Sequence, residues 1–267
     1  MKKEDMSKIM KEGTISHIKG GDTKHTFLLV YRDKRYILRK FSNKNTTDYY
    51  TGICKKLHKY EFLPKILYQN EKNVLFEYIE GRDCTKLDAS HVAIQIGRIC
   101  GLINKLKNTK FYDVDKRFFS YIETIKRKKS ISKEKASDIR ELYLSLKKKV
   151  HPKVKLDAND VYPENFRLKN GKVYLVDIEA IKPLFQGHGI AKSFVRWFKT
   201  SQQREKFKRG YKSATSINFL TEDYLKFLYL NFFVRSIAIK IRLNIQLNPY
   251  DITRLNLLLE GKLKELR

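Results

Sequence analysis

Cysteine is scarce and unpatterned in this chain. Cys54, Cys84 and Cys100 make an odd number, and no C-x-x-C spacing occurs. Neither a disulfide framework nor a cysteine-based zinc site follows, and a reducing, cytoplasmic setting is expected. The six histidines show no ligand spacing either, which leaves a His-based metal site or a catalytic triad without support. No uncharged apolar run reaches the roughly 18 residues of a membrane span. Residues 1–6, Met-Lys-Lys-Glu-Asp-Met, lack an apolar signal core. Internal repeats and low-complexity linkers are absent. The largest shortage is of acid: 29 Asp and Glu stand against 57 Lys and Arg, a net charge of +28. Such a balance implies an anionic partner, whether nucleic acid, an anionic membrane or glycolipid, or an acidic substrate. A lysine-rich composition without a dedicated partner gives the same count.

What is present is enough to fold. At 267 residues, 42% of them hydrophobic, the chain can bury a full core in one large domain or two lobes. A polar helix or tail over 1–12 precedes strand signals at 13–18, a turn at 19–22, a strand at 27–31, a tight turn at 32–34 and a return strand at 35–41. Asn45, Thr46, Thr47 and Asp48 open a helix running to Leu57. Residues 73–81 form a buried strand ending in Gly81. In the helix expected at 90–106, Val92, Ile96, Ile99, Ile103 and Leu106 keep the 3,4 spacing of a core stripe, with Cys100 among them and His91 at the surface. Residues 121–155 read as a basic helical pair, with dense runs at 126–129 and 147–149. Residues 181–189 read as a loop, 194–198 as a helix start, 219–241 as a central buried helix, and 252–266 as a closing helix capped by Asp251.

The chemistry concentrates in two short stretches. Asp160 and Asn165 are spaced D-x-x-x-x-N, and Asp177 ends an apolar run twelve residues later. Phosphoryl transfer uses such a set: one carboxylate for the acceptor hydroxyl, an amide and a second carboxylate for magnesium. The stretch from Asp160 to Asn165, with its Pro-Glu-Asn ending, resembles the catalytic loop of the protein-kinase-like superfamily. Val176-Asp177-Ile178-Glu179 resembles its metal-binding turn. The nearest branch is the aminoglycoside phosphotransferase and choline kinase group, where the second motif often reads Asp-aromatic-Glu.

That resemblance implies an α+β, two-lobed protein-kinase-like fold. An antiparallel five-stranded small nucleotide-binding lobe would span 1–80 and a mostly helical catalytic and substrate lobe 81–267. It implies ATP and Mg²⁺ as cofactors and a hydroxyl as acceptor. Asp160 would be the base or orienter, and Asn165 and Asp177 the metal ligands. Either Arg39 or Lys40 would hold the ATP phosphates, with Arg39 favoured by likeness to Tyr-Val-Leu-Arg strands. Gly20 and Gly21 would arch over the phosphates, and backbone groups near Glu77 and Ile79 would meet adenine.

Several positions depart from the family pattern. Ala158 stands where His or Arg is usual, and Tyr162 where Lys or His is often found. Asp48 is the only acid near the place of the small-lobe helix Glu. Lys192 and Ser193 replace an Asp that braces the catalytic loop in many relatives. The segment after Asp177 is short and lacks an Ala-Pro-Glu-like anchor, so the expected acceptor is not a protein. With the charge, this points to an anionic small molecule, glycolipid or nucleic-acid ribose. The alternative is a pseudokinase-like binding module for nucleic acid or an anionic surface.

Overall fold

The computed structural model describes residues 3–18, 25–107, 113–128, 130–215 and 220–262. The turn expected at 19–22, and Lys129, Phe219 and Leu266, lie outside these ranges. Two compact units emerge: residues 1–84 with 164–179, and residues 85–163 with 180–267.

The first unit starts with helix α1 (Lys3–Glu12) and strands β1 (Thr14–His17), β2 (Thr26–Tyr31) and β3 (Lys34–Lys40). The β2–β3 hairpin turns through Arg32 and Asp33, both at positive φ (47° and 62°). That is the geometry of the primed turns whose twist suits a hairpin. Helix α2 (Lys44–Leu57) follows, then β4 (Ile66–Gln69) and β5 (Asn73–Glu77), completing an antiparallel five-stranded sheet of order β1-β2-β3-β5-β4. The cap of α2 is Asn43, whose side chain accepts from Thr46 N at 2.9 Å, two residues earlier than the expected start. Alternation along β2 and β3 buries Leu29, Tyr36 and Leu38 with Leu75 and Ile9 of α1. Strand β6 (Arg82–Asp83) belongs with this unit.

The second unit begins with α3 (Ala89–Asn104), which buries Val92, Ile96, Ile99, Cys100 and Ile103 as their spacing requires, while Leu106 lies past its end half-buried and His91 is exposed. The basic segment forms α4 (Val114–Arg127) and α5 (Lys133–Val150). Part of its charge is spent locally: Lys126 pairs with Glu123 at 2.9 Å, and Lys147 with Asp115. Strand β7 (Val154–Ala158) leads to the stretch from Asp160 to Asn165. The chain then returns to the first unit as β8 (Phe166–Lys169) and β9 (Lys172–Leu175), which make a three-stranded sheet with β6.

Residues 181–189 are not the loop expected from the proline and two glycines. Ile181–Phe185 is strand β10, paired antiparallel with β7 so that Ile181 faces Ala158 and Lys182 faces Asp157. A two-stranded ribbon has only edges, so Pro183 costs it no interior hydrogen bond. Helix α6 (His188–Arg196) begins at His188 and ends before Trp197, where a helix was expected to be starting. Helices α7 (Ser201–Thr215), α8 (Glu222–Arg242) and α9 (Pro249–Leu259) follow. Helix α8 is buried on most of its faces and packs against α4, α5, α6 and α9, which explains its all-round Leu, Phe and Tyr content. Asn248 caps α9, accepting from Tyr250 N at 3.0 Å, with Pro249 in the first turn. The cap is thus not Asp251. That side chain is buried and takes Lys240 Nζ at 2.7 Å and Ser236 Oγ at 3.2 Å. No helix among the described residues is long and apolar enough to cross a membrane.

Candidate functional site

In the first unit, β8 and β9 place Asn165 and Asp177. Phe166 pairs with Leu175, and Val176 N donates to Asn165 O at 2.9 Å. Asn165 and Asp177 therefore flank one hydrogen-bonded step of a hairpin. Arg39 reaches the same point from β3. Its Nη1 donates to Asp177 Oδ1 at 3.1 Å, and its Nη2 to the Val176 carbonyl at 3.2 Å. The guanidinium is nearly buried, and a two-point clasp of this kind needs its planar fork rather than an ammonium. Lys40, its neighbour, is exposed and lies over the Phe27 ring, as strand alternation demands.

Asp177 Oδ1 also accepts from Glu179 N at 3.2 Å. Oδ2 is engaged by nothing among the described residues. Asp48, the only acid near the place of the family's helix Glu, does not take that role: it accepts from Gln69 Nε2 at 2.9 Å. Asp177 itself is the counter-ion. From α2 it is Tyr50 that meets the acids, and burial first, then Glu179, Tyr49 and Asp177, push its phenol up to about 12. Sequence reasoning missed Tyr50, because nothing in a helical Tyr-Tyr pair signals it.

Of the other expected nucleotide contacts, Gly20 and Gly21 lie outside the described residues. Glu77 N donates to Lys65 O at 3.0 Å, its side chain accepts from Lys65 N at 2.9 Å, and Ile79 is buried. Among the described residues no three His, Cys, Asp or Glu side chains gather to hold a metal unaided. The donors at Asn165 and Asp177 suit magnesium nonetheless, which takes one or two carboxylates and completes its shell with phosphate oxygens and water.

In the second unit, Asp160 sits just past β7 and forms an ion pair with Lys192 of α6. The Lys192 ammonium also lies 5.4 Å from the Tyr162 ring centroid. A positive group is thus present beside Tyr162, delivered from α6 rather than from the loop.

A buried acid also ties β7 to the start of α6. Asp157, on β7, is buried, and its carboxylate accepts from Gly187 N at 2.6 Å, Gly189 N at 3.0 Å and Asn104 Nδ2 at 2.8 Å. Gly187 has φ 82°, a left-handed turn that suits glycine. A Cβ on Gly189 would lie 1.8 Å from Ala158 O, so only glycine lets α6 approach β7 this closely. Asn104 is fixed in turn by Tyr211, and Tyr211 by Gln186 Nε2 at 2.9 Å.

Burial outweighs these donors and raises the Asp157 carboxyl to about 6 from its ordinary 3.8. The consequence has a definite sign. The folded state holds this proton more tightly than the unfolded one, so the group favours folding most below about pH 4. That contribution is lost as pH climbs toward 6, and amounts to roughly 3 kcal/mol. Denaturant titrations from pH 4 to 7 should show wild-type stability losing this amount relative to Asp157→Asn. Parallel profiles for the two proteins would mean that Asp157 carries no such shift.

Against solved structures the whole chain finds matches. The choline kinase LicA from Streptococcus pneumoniae superposes with a TM-score of 0.69 at 18% identity, over 97% of this chain and 99% of that one. This chain has a protein-kinase-like fold of the choline kinase and aminoglycoside phosphotransferase type. The Plasmodium vivax ethanolamine kinase matches with a TM-score of 0.66 at 15% identity over 96% and 84% of the two chains. The spectinomycin phosphotransferase APH(9)-Ia, solved with ADP and spectinomycin, matches with 0.65 at 14% over 99% and 94%. No family model matches the sequence, and no curated protein does.

Proposed function

We propose that this protein is an ATP- and Mg²⁺-dependent phosphotransferase that phosphorylates a hydroxyl of a non-protein, anionic acceptor. The observation that carries the reading is the Arg39–Asp177 clasp beside Asn165, with Asp177 Oδ2 left unengaged among the described residues. Arg39 fixes the rotamer of Asp177 by holding Oδ1, and Oδ2 is the oxygen available to a cation. Asn165 and Asp177 would hold magnesium, which would supply charge neutralisation at the phosphates, and Arg39 would add fixed positive charge near them. Gly20, Gly21, Glu77 and Ile79 belong to the nucleotide side of this reading, through backbone groups. Asp160 accepts the proton of the acceptor hydroxyl. The hydroxyl oxygen bonds to the γ-phosphorus, the bond to the bridging oxygen breaks, and ADP leaves. Lys192 orients Asp160 and offers the charge that Tyr162 cannot.

The fold supports this reading: similar structures are those of kinases for choline, ethanolamine and spectinomycin, some with AMP or ADP bound. Choline and the aminoglycosides are cations, and a protein of net charge +28 suits the opposite sign of acceptor. The test is turnover of labelled ATP by the purified chain, with and without magnesium, against RNA, glycolipid and small-metabolite pools. Magnesium-dependent transfer to one pool is expected. ATP binding with no transfer to any pool would leave the pseudokinase reading instead.

A further inference from the structure

Beside the catalytic-loop sequence, the second unit holds a small pocket lined by Arg117, Asn159, Lys182, His188, Asn231 and Arg235, with an aromatic wall from α4 and β10. Asn159 precedes Asp160, so their Cα atoms are about 3.8 Å apart. Among the described residues no Asp or Glu contributes to the lining.

Arg235 is built to recognise something. Its Nη1 donates to Asn159 Oδ1 at 2.5 Å and contacts His188 Nε2 at 3.3 Å. An arginine has no acceptor, so Nε2 accepts and the imidazole proton is on Nδ1. Burial first, then Arg235, Arg117 and Lys192, push the His188 pKa down to about 3, so the ring stays neutral and does not compete for an anion. Both Nη1 protons are thereby used. The Nε and Nη2 edge of Arg235, which is the bidentate edge, is engaged by nothing among the described residues. Lys182, exposed at the rim, has no carboxylate partner among them either. Arg117 donates its Nε to Tyr121 Oη at 2.7 Å and contributes charge only. The open edge of Arg235 and the Lys182 ammonium match a dianion better than a single carboxylate, and they repel a cation.

Size points the same way. The cavity holds about 50 Å³. That is far below the roughly 300–1,000 Å³ of a site that encloses a whole small molecule, so it suits a compact group such as a phosphate with the rest of the acceptor outside it. We propose that this pocket anchors a phosphomonoester on the acceptor, so that the substrate is a small hydroxylated compound already carrying one phosphate. This inference rests on the phosphotransferase reading above. The products would be ADP and the doubly phosphorylated compound.

The experiment uses the full chain and two probes, ribose 5-phosphate and glycerol 3-phosphate, with ribose, glycerol, glucuronate and choline as comparators. Calorimetry without nucleotide should show both phosphates binding at least tenfold tighter than any comparator. Arg235→Gln should weaken them at least tenfold. Lys182→Gln, whose side chain has no hydrogen-bond partner among the described residues, should weaken them about threefold without touching the fold. Equal affinity for ribose and its phosphate, a preference for choline, parity of glucuronate with the phosphates, or unchanged binding in both variants would each overturn the proposal. ATP turnover separates the two readings. Transfer to neutral or cationic acceptors defeats the pocket assignment alone. Arg235-dependent phosphate binding without turnover on any acceptor defeats the phosphotransferase reading alone.

Discussion

Asp160→Ala should lose phosphotransfer by roughly 10²- to 10⁴-fold, the range that a positioned acid–base group contributes. The binding of ATP should change little, because the proposed role of Asp160 is toward the acceptor hydroxyl, while Arg39, Asn165 and Asp177 serve the nucleotide side. The substitution also strands Lys192, which pairs with Asp160. Asp160→Asn is therefore the necessary companion: it keeps an oxygen near the ammonium and removes the charge and basicity. Both variants should fall in turnover together, with thermal midpoints near wild type. If Asp160→Asn turned over ATP at more than a tenth of the wild-type rate, Asp160 would not be the base, and its pairing with Lys192 would be structural. If only the Ala variant failed, and with it the thermal midpoint, the ion pair would be holding the loop rather than doing chemistry.

What could be read from the chain followed the range of the interaction. The β2–β3 hairpin rests on alternation and a four-residue turn, and the α3 stripe on 3,4 spacing. Helix α8 is a long run of large apolar residues. All three are decided by neighbours in sequence, and all three are where the sequence puts them. The misreadings lie where a distant partner decides. The stretch at 181–189 has the proline and glycines of a loop, yet pairing with β7 makes it a strand. The glycines serve the buried Asp157, thirty and thirty-two residues earlier. Asp251 has the type and place of a cap, but Lys240 and Ser236 of α8 draw it inward, and Asn248 takes the role. The family's helix Glu is missing from α2, and the acid that Arg39 finds instead is Asp177, 138 residues on. The spacing of Asp160, Asn165 and Asp177 was visible as a motif because it is local to one loop and one hairpin. Lys192, Tyr50 and Arg235 were not, because each reaches its neighbours through tertiary packing alone.

Asp177→Asn should abolish the effect of magnesium on nucleotide affinity and cut turnover on the order of a thousandfold. The structure makes this a clean substitution. Oδ1 carries the internal hydrogen bonds, from Arg39 Nη1 at 3.1 Å and Glu179 N at 3.2 Å. An asparagine can present its own carbonyl oxygen there, so the clasp and the turn survive. The amide nitrogen then occupies the position of Oδ2, where it has no charge and no lone pair to give a hard cation. Several kilocalories of charge stabilisation are lost with the metal, and each 1.36 kcal/mol is about tenfold in rate. The measurement is an ATP titration with and without magnesium, on wild type and variant. Wild type should bind more tightly with the metal, while the variant should give one affinity under both conditions. Arg39→Lys sharpens the result, since it keeps a positive charge but loses the fork that sets the Asp177 rotamer. It should retain a magnesium response, weakened because Asp177 is free to rotate. If Asp177→Asn instead responded to magnesium as wild type does, Oδ2 would not be the ligand. The Arg39–Asp177 pair would then be a structural tie between β3 and the β8–β9 hairpin, and the phosphotransferase reading would lose the observation that carries it.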